Sequence, residues 1–292
     1  MILDTDRTAI RLGLPKGRMQ PEVFALLDAA GLRVRAGTRE YRPTIVGGSF
    51  NVKILKPQNI VEMLAAGSRD VGFAGADWVA ELGVELVELL DTGFDPVRIV
   101  AAAPGCVLSE GPLAGCDGLV VATEYQRLTR AWLRRESIGA QVVHSFGATE
   151  VFPPDDADLI VDNTATGATL LANGLTIIDE LMTSSTRLYA HPRSLDDPDK
   201  RSGIETLTML LTSVIDARQR VMFEVNVPES RLDAVCSILP GMREPTISAL
   251  HGDAGFAIKA AVRRADLPRL VPAIKSAGGS DIVITALSQL VP

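Results

Sequence analysis

The stretch ADLIVDNTATGATLLANGL, residues 157–175, joins an apolar run to a loop of small residues and then to helix-forming sequence. Leu159, Ile160 and Val161 end abruptly at Asp162, and Thr164, Thr166, Gly167 and Thr169 follow within seven residues. A short apolar run bounded by turn residues predicts a buried strand. A carboxylate at the C-terminal end of that strand, followed by a small-residue loop and a helix start, is how α/β proteins present a site. Gly167 lets a ligand approach the backbone closely, and the free N–H groups and positive dipole end of a helix start suit a phosphate. The plainer reading is an ordinary strand-to-helix turn in which the threonines serve as caps.

Upstream, AIRLGLPKGRM is a strand running into a basic loop, and Val23, Leu26, Leu27 and Ala30 make one face of a helix stopped at Gly31. NVKIL, DVGFAG, VRIVAAA, GLVVAT and AQVVHSF read as strands. Pro57 suits a first helical turn, and EYQRLTRAWLRRESIG is a basic helix. This alternation predicts parallel sheets with helices on both faces. TIIDELM and TRLYAHP read as two further segments before a helix around GIETLTMLLTSVIDARQ. After Gln219 the order becomes β-α-β-β-α-β, the ferredoxin-like arrangement, with its second helix capped at Asp266 and kinked by Pro272.

The 292 residues predict two or three domains, because single cores rarely exceed about 250 residues. With 47% hydrophobic and 22% charged residues the chain builds a substantial core rather than a disordered one. A net charge of −7 argues against a nucleic-acid surface but permits a local basic cluster around a small anion. Cys106, Cys116 and Cys236 form no CxxC pair, so neither zinc nor a disulfide framework is expected, and a reduced, cytoplasmic protein is. Neither a membrane span nor a signal-peptide core is legible, and His144, His191 and His251 are scattered.

Five segments, in order, resemble the ATP phosphoribosyltransferases that begin histidine biosynthesis, in their long form. They are LPKGRM, ILKPQNI, RDVGFAGADWV, VVHSFGATEVFPPDDADLIVDNTATGATLLANGL and LPGMREPTISALHGD. The resemblance implies an α/β chain: a two-lobed catalytic part like type II periplasmic binding proteins, plus a ferredoxin-like regulatory domain. Domain I takes residues 1–100, completed by about 185–218; domain II takes 101–184; the regulatory domain takes 219–292. The implied reaction transfers phosphoribose from phosphoribosyl pyrophosphate to N1 of ATP, releasing pyrophosphate. Mg²⁺, carried mainly on the substrate phosphates, is the expected cofactor. Histidine is the expected inhibitor, and a homo-oligomer, dimer or hexamer, the expected assembly.

On that resemblance, Thr164, Ala165, Thr166, Gly167, Ala168 and Thr169 cradle the 5′-phosphate, and Asp162 binds ribose hydroxyls with Glu150 assisting. Asp162 stands without the adjacent second acid of type I phosphoribosyltransferases. Lys16, Arg18, Arg39 and Lys56 are candidates for phosphate and pyrophosphate, with a solvated surface charge as the plain alternative for each. Lys56 stands where the family more often has arginine and Asn59 where it has aspartate, which exchanges a bidentate fork for a point charge. Asp77 either contacts substrate or caps the WVAEL helix. Ser248, Ala249 and Leu250 are candidates for a histidine site. A non-enzymatic two-lobed binding protein for an anionic ligand, with a sensor domain, is the competing reading.

Overall fold

The computed structural model describes residues 9–35, 37, 41–109, 113, 115–242 and 244–291. They divide into two compact units: one takes residues up to Ala25 and Leu32–Glu205, the other Leu26–Gly31 and the residues from Thr206.

In the first unit β1 (Ile10–Pro15) leads to α1 (Gln20–Ala29), and the short pair β2 (Val34–Arg35) and β3 (Thr44–Ile45) precedes β4 (Phe50–Leu55). Val23, Leu26, Leu27 and Ala30 are buried, as their 3.6-residue period predicts. Next come α2 (Pro57–Ala65), with proline in its first turn, β5 (Val71–Gly75) and α3 (Ala76–Leu82). β6 (Val87–Pro104), α4 (Gly105–Ser109), β7 (Leu119–Thr123), α5 (Gln126–Glu136) and β8 (Ala140–His144) follow. β9 (Leu159–Thr164), α6 (Ala168–Ala172) and β10 (Leu175–Ala190) complete the sheet.

The eight strands lie in the order β4-β1-β5-β10-β6-β9-β7-β8. β1 is parallel to β4 and β5, and β7 is parallel to β8 and β9. Between these two groups β6 and β10 run antiparallel to each other and to their outer neighbours. The expectation of purely parallel sheets is therefore corrected: the sheet is mixed. VRIVAAA is only part of the 18-residue β6, and TIIDELM and TRLYAHP form one 16-residue strand. The polar Thr183 and Ser184 that suggest a break pair with Arg98 and Val97, and the strand continues through them with register shifts. Two parallel-stranded lobes joined by two crossing strands make the architecture that of the type II periplasmic-binding-protein-like folds.

α7 (Pro198–Gln219) contains the division between the units. Beyond it lie β11 (Arg220–Val227), α8 (Leu232–Cys236), β12 (Thr246–Ala249), β13 (Phe256–Arg263), α9 (Leu267–Ser276) and β14 (Ser280–Ala286). The sheet order β12-β13-β11-β14, antiparallel throughout, is the ferredoxin-like topology. Alternate residues of β11, namely Val221, Phe223, Val225 and Val227, pack with Ile258, Val262, Leu270 and Ile274. Pro272 does not end α9; its ring is exposed, while burial of Leu270 and Ile274 on either side holds the helix. Asp266 occupies the N-cap position but makes no side-chain capping bond.

Candidate active site

Leu159, Ile160 and Val161 are fully buried, and β9 runs on past them, through half-buried Asp162 and exposed Asn163, to Thr164, where the strand ends. The loop then turns on its own threonines: Thr164 Oγ1 accepts from the Gly167 N–H at 2.9 Å, and Thr166 Oγ1 from the Ala168 N–H at 3.4 Å. Gly167 has φ +82°, a left-handed conformation natural to glycine. The helix that follows, α6, starts at Ala168 as expected and has five residues. What this loop offers an anion is amides and hydroxyls. A cavity of about 310 Å³ is lined by Arg18, Glu150, Asp162, Thr164, Ala165, Thr166, Ala168 and Thr169, so the fold brings these predicted residues together, with Asn163 beside them and Gly167 not in the lining.

Asp162 is not electrostatically alone. Burial pushes its carboxyl up to about 6, and the charges of Glu124 and Glu150 add to the rise, while bonds from the Asn163 N–H and Thr149 oppose it. Thus the second acid absent beside Asp162 in sequence is supplied in space, from the turns after β7 and β8. An acid crowded in this way favours the arrival of a cation or of developing positive charge.

Arg18 also lines a second cavity of about 210 Å³, with Lys16, Asp77, Trp78, Asp95, Tyr125, Asn163 and Ser184. Trp78 and Tyr125 stack at 4.9 Å between ring centroids. The Tyr125 hydroxyl donates to Asp77 Oδ2 at 2.8 Å and receives the Asn163 side-chain amide at 3.2 Å. Ser184 Oγ donates to Asp77 Oδ1 at 2.6 Å. Asp77 is therefore not the cap of α3, since Gly75 holds that position. A Cβ on Gly75 would stand 2.1 Å from Asp77 Oδ1, so the glycine makes room for the buried carboxylate.

Lys16 continues into a third cavity, of about 370 Å³, with Tyr41, Arg42, Lys53, Lys56 and Asn59. Among the described residues four cations and no acid line it. Lys16 lies 5.9 Å above the Tyr41 ring. Lys53 is held below its ordinary value, first by the charge of Arg69, then by burial and by Arg42. Asn59, in the place of the family's aspartate, donates to Glu62 at 3.2 Å. Arg39 lies outside the described residues.

Sequence reasoning missed Arg42, Lys53, Asp95, Glu124, Tyr125 and Ser184. For Glu124 and Tyr125 a signal existed: they follow the end of the buried strand GLVVAT, as Asp162 follows LIV. Ser248 and Ala249 lie in β12, the exposed edge of the C-terminal sheet. The Leu250 N–H bonds to the Gly255 carbonyl at 2.8 Å. Among the described residues no group of three or more His, Cys, Asp or Glu is set to hold a metal ion.

The site is that of a two-lobed α/β protein in which an acid, a threonine–glycine loop and a row of cations line adjoining cavities, a lining suited to anionic ligands. The family model of ATP phosphoribosyltransferase matches residues 56–213, and that of the HisG C-terminal domain matches residues 217–289. The ATP phosphoribosyltransferase of Pelotomaculum thermopropionicum is 35% identical over 97% of this chain and 99% of its own length. That of Chlorobium phaeovibrioides is 34% identical over 99% of this chain and 100% of its own. A solved ATP phosphoribosyl transferase (HisG:HisZ) complex from Thermotoga maritima contains a chain with TM-score 0.60 and 25% identity, covering 70% of this chain and 98% of that one. The chain belongs to the ATP phosphoribosyltransferase family, in its long form, and is a pentosyltransferase of histidine biosynthesis. The competing reading of a non-enzymatic binding protein is not favoured.

Proposed function

We propose that the three cavities hold the two substrates of phosphoribosyl transfer in a row. The 5′-phosphate of phosphoribosyl pyrophosphate lies on the amides and hydroxyls of Thr164–Thr169, and its ribose hydroxyls meet Asp162. The adenine of ATP enters the cavity of Trp78 and Tyr125, where an aromatic wall suits a flat base. Its triphosphate lies on Lys16, Arg42, Lys53 and Lys56. Arg18, which lines the first two cavities, stands at the reacting centre beside the pyrophosphate.

In this arrangement the lone pair of adenine N1 forms the bond to C1′, and the C1′–O bond breaks with its electrons leaving on pyrophosphate. N1 needs no base to expose its lone pair. Asp162, ionised and flanked by Glu124 and Glu150, favours the oxocarbenium-like charge on the ribose. Mg²⁺, carried on the substrate phosphates, supplies charge neutralisation to the leaving group.

The observation that carries this reading is the sharing of Lys16 and Arg18 between adjoining cavities, which makes one path of three sites. The test is to incubate the protein with ATP, phosphoribosyl pyrophosphate and Mg²⁺ and to weigh the product. Phosphoribosyl-ATP is expected, and Lys53→Ala should raise KM for ATP with KM for phosphoribosyl pyrophosphate unchanged. The opposite split reverses the assignment of the cavities.

Histidine inhibition and assembly into a dimer or hexamer belong, on this reading, to the C-terminal unit. The exposed edge strand β12, which carries Ser248 and Ala249, offers unpaired backbone groups to an amino acid or to a second copy. Histidine that neither binds nor inhibits the full chain removes that assignment. On this reading the protein acts in the cytoplasm, where histidine biosynthesis would use it. Among the described residues no helix is long and apolar enough to cross a membrane.

A further inference from the structure

Asp95 sits in the middle of β6, where the pairing with β10 shifts register, in a conformation that side chains other than glycine, asparagine and aspartate seldom accept. Its φ is +45°, in the left-handed region, where a Cβ crowds the following carbonyl. Its side chain is 12% exposed, Oδ2 is buried with no hydrogen-bond partner among the described residues, and Oδ1 lies 3.3 Å from Arg18 Nε. Strain and an unsatisfied buried acceptor in one residue are both costly, and both are tolerated where a fold must hold a group for its ligand. Asp95 lines the second cavity together with Lys16, Arg18 and Asp77. Asp77 is already engaged by Tyr125 and Ser184, so Asp95 is the acid that faces Arg18.

Arg18 itself is 58% exposed and lines both the second cavity and the phosphate-loop cavity. Among the described residues Arg18 is held at its Nε alone, which leaves its two terminal nitrogens, the fork that fits a phosphate, open. We infer that Asp95 is a positioning residue for Arg18: it grips the guanidinium by Nε and presents its terminal nitrogens to the phosphates of phosphoribosyl pyrophosphate. The inference rests on the placement of that substrate proposed above. It also explains why a strained acid stands at this point of the strand. Glycine would fit the backbone better but could not hold the arginine.

The experiment is a kinetic cycle on the full chain with Arg18→Ala, Asp95→Asn, Asp95→Gly and the double variant Arg18→Ala/Asp95→Asn, with Tm measured for each. Asp95→Asn is expected to lower kcat/KM for phosphoribosyl pyrophosphate about tenfold and to leave KM for ATP nearly unchanged. Asp95→Gly should lose as much activity while its Tm holds or rises, because the backbone strain is relieved. The double variant should be no worse than Arg18→Ala alone, since Asp95 acts only through that arginine. Losses that multiply in the double variant, or Asp95→Gly with normal kinetics, overturn the inference, as does a fall in Tm for Asp95→Gly that accounts for its lost activity. If Arg18→Ala itself is kinetically silent, the placement of the substrate at Arg18 has failed instead, which distinguishes the two.

Discussion

The Tyr125 hydroxyl donates to Asp77 Oδ2 at 2.8 Å, and this bond joins the turn after β7 to the first turn of α3, one from each lobe of the sheet. Burial and the neighbouring Asp77 charge hold the phenol far above its usual range, so it remains a donor throughout the working pH range. The same hydroxyl accepts from Asn163, beside Asp162, which links the aromatic cavity to the ribose acid.

Tyr125→Phe should therefore cost about 1–3 kcal/mol, since Asp77 loses a donor and the Asn163 amide an acceptor. A drop of roughly 2–10 °C in Tm is expected, with kcat/KM reduced more than stacking alone predicts. An unchanged Tm would mean that water replaces the hydroxyl without loss.

Asp162→Asn should keep the fold and lose most of the turnover. Burial, with the charges of Glu124 and Glu150, pushes its carboxyl up to about 6, above the ordinary carboxylate range. Because the folded value is raised, ionisation opposes folding, and stability falls as pH rises from about 4 through 6. The amide lacks that penalty, so the variant should match or exceed the parent by about 1 kcal/mol at pH 7. For the parent enzyme, kcat/KM should fall as pH drops through about 6, when the carboxylate is lost. Glu150→Gln should shift that acid limb downward by removing one repelling charge. An acid limb near 4 in the parent would separate Asp162 from turnover.

Gly167→Ala should weaken phosphoribosyl pyrophosphate by calorimetry about tenfold. The reason lies in the backbone: at φ +82° any Cβ is strained, by about 1–2 kcal/mol, although the nearest atom, Ile177 Cδ1, is 3.4 Å away. Undiminished affinity would reduce the loop to a structural turn.

Asp70 supplies a control far from the chemistry. Its side chain is fully buried, and burial alone would raise its pKa. Stronger bonds from the Arg11 side chain and backbone, Lys200 and Ser194 instead hold it well below the carboxylate range. Asp70→Asn should cost about 2 kcal/mol in urea unfolding at pH 7, less than a wholly buried pair because Arg11 and Lys200 remain partly solvated. Asp70's stabilisation is complete above the unfolded value near 3.9 and is lost as pH falls toward the lower folded value. The parent and variant should therefore converge as the medium becomes strongly acidic. A gap that persists in strong acid would point to packing rather than charge.

Local order was legible from residue pattern alone. The run from Leu159 to Val161 had to be buried, Gly167 had to turn, and Val23, Leu26 and Leu27 had to share a helix face, because neighbouring residues in the chain decide each of these. The C-terminal β-α-β-β-α-β order was legible for the same reason, apart from Pro272, whose cost is met by burial elsewhere in α9. Tertiary structure alone decided the mixed sheet, since a strand's direction depends on which partner it pairs with and not on its own residues. It also decided the site's electrostatics. Glu124 and Tyr125 from the turn after β7, Glu150 from beyond β8, Asp162 from β9, Ser184 from β10 and Asp77 from α3 are far apart in sequence, so their charges and hydrogen bonds exist only once the strands have been set side by side.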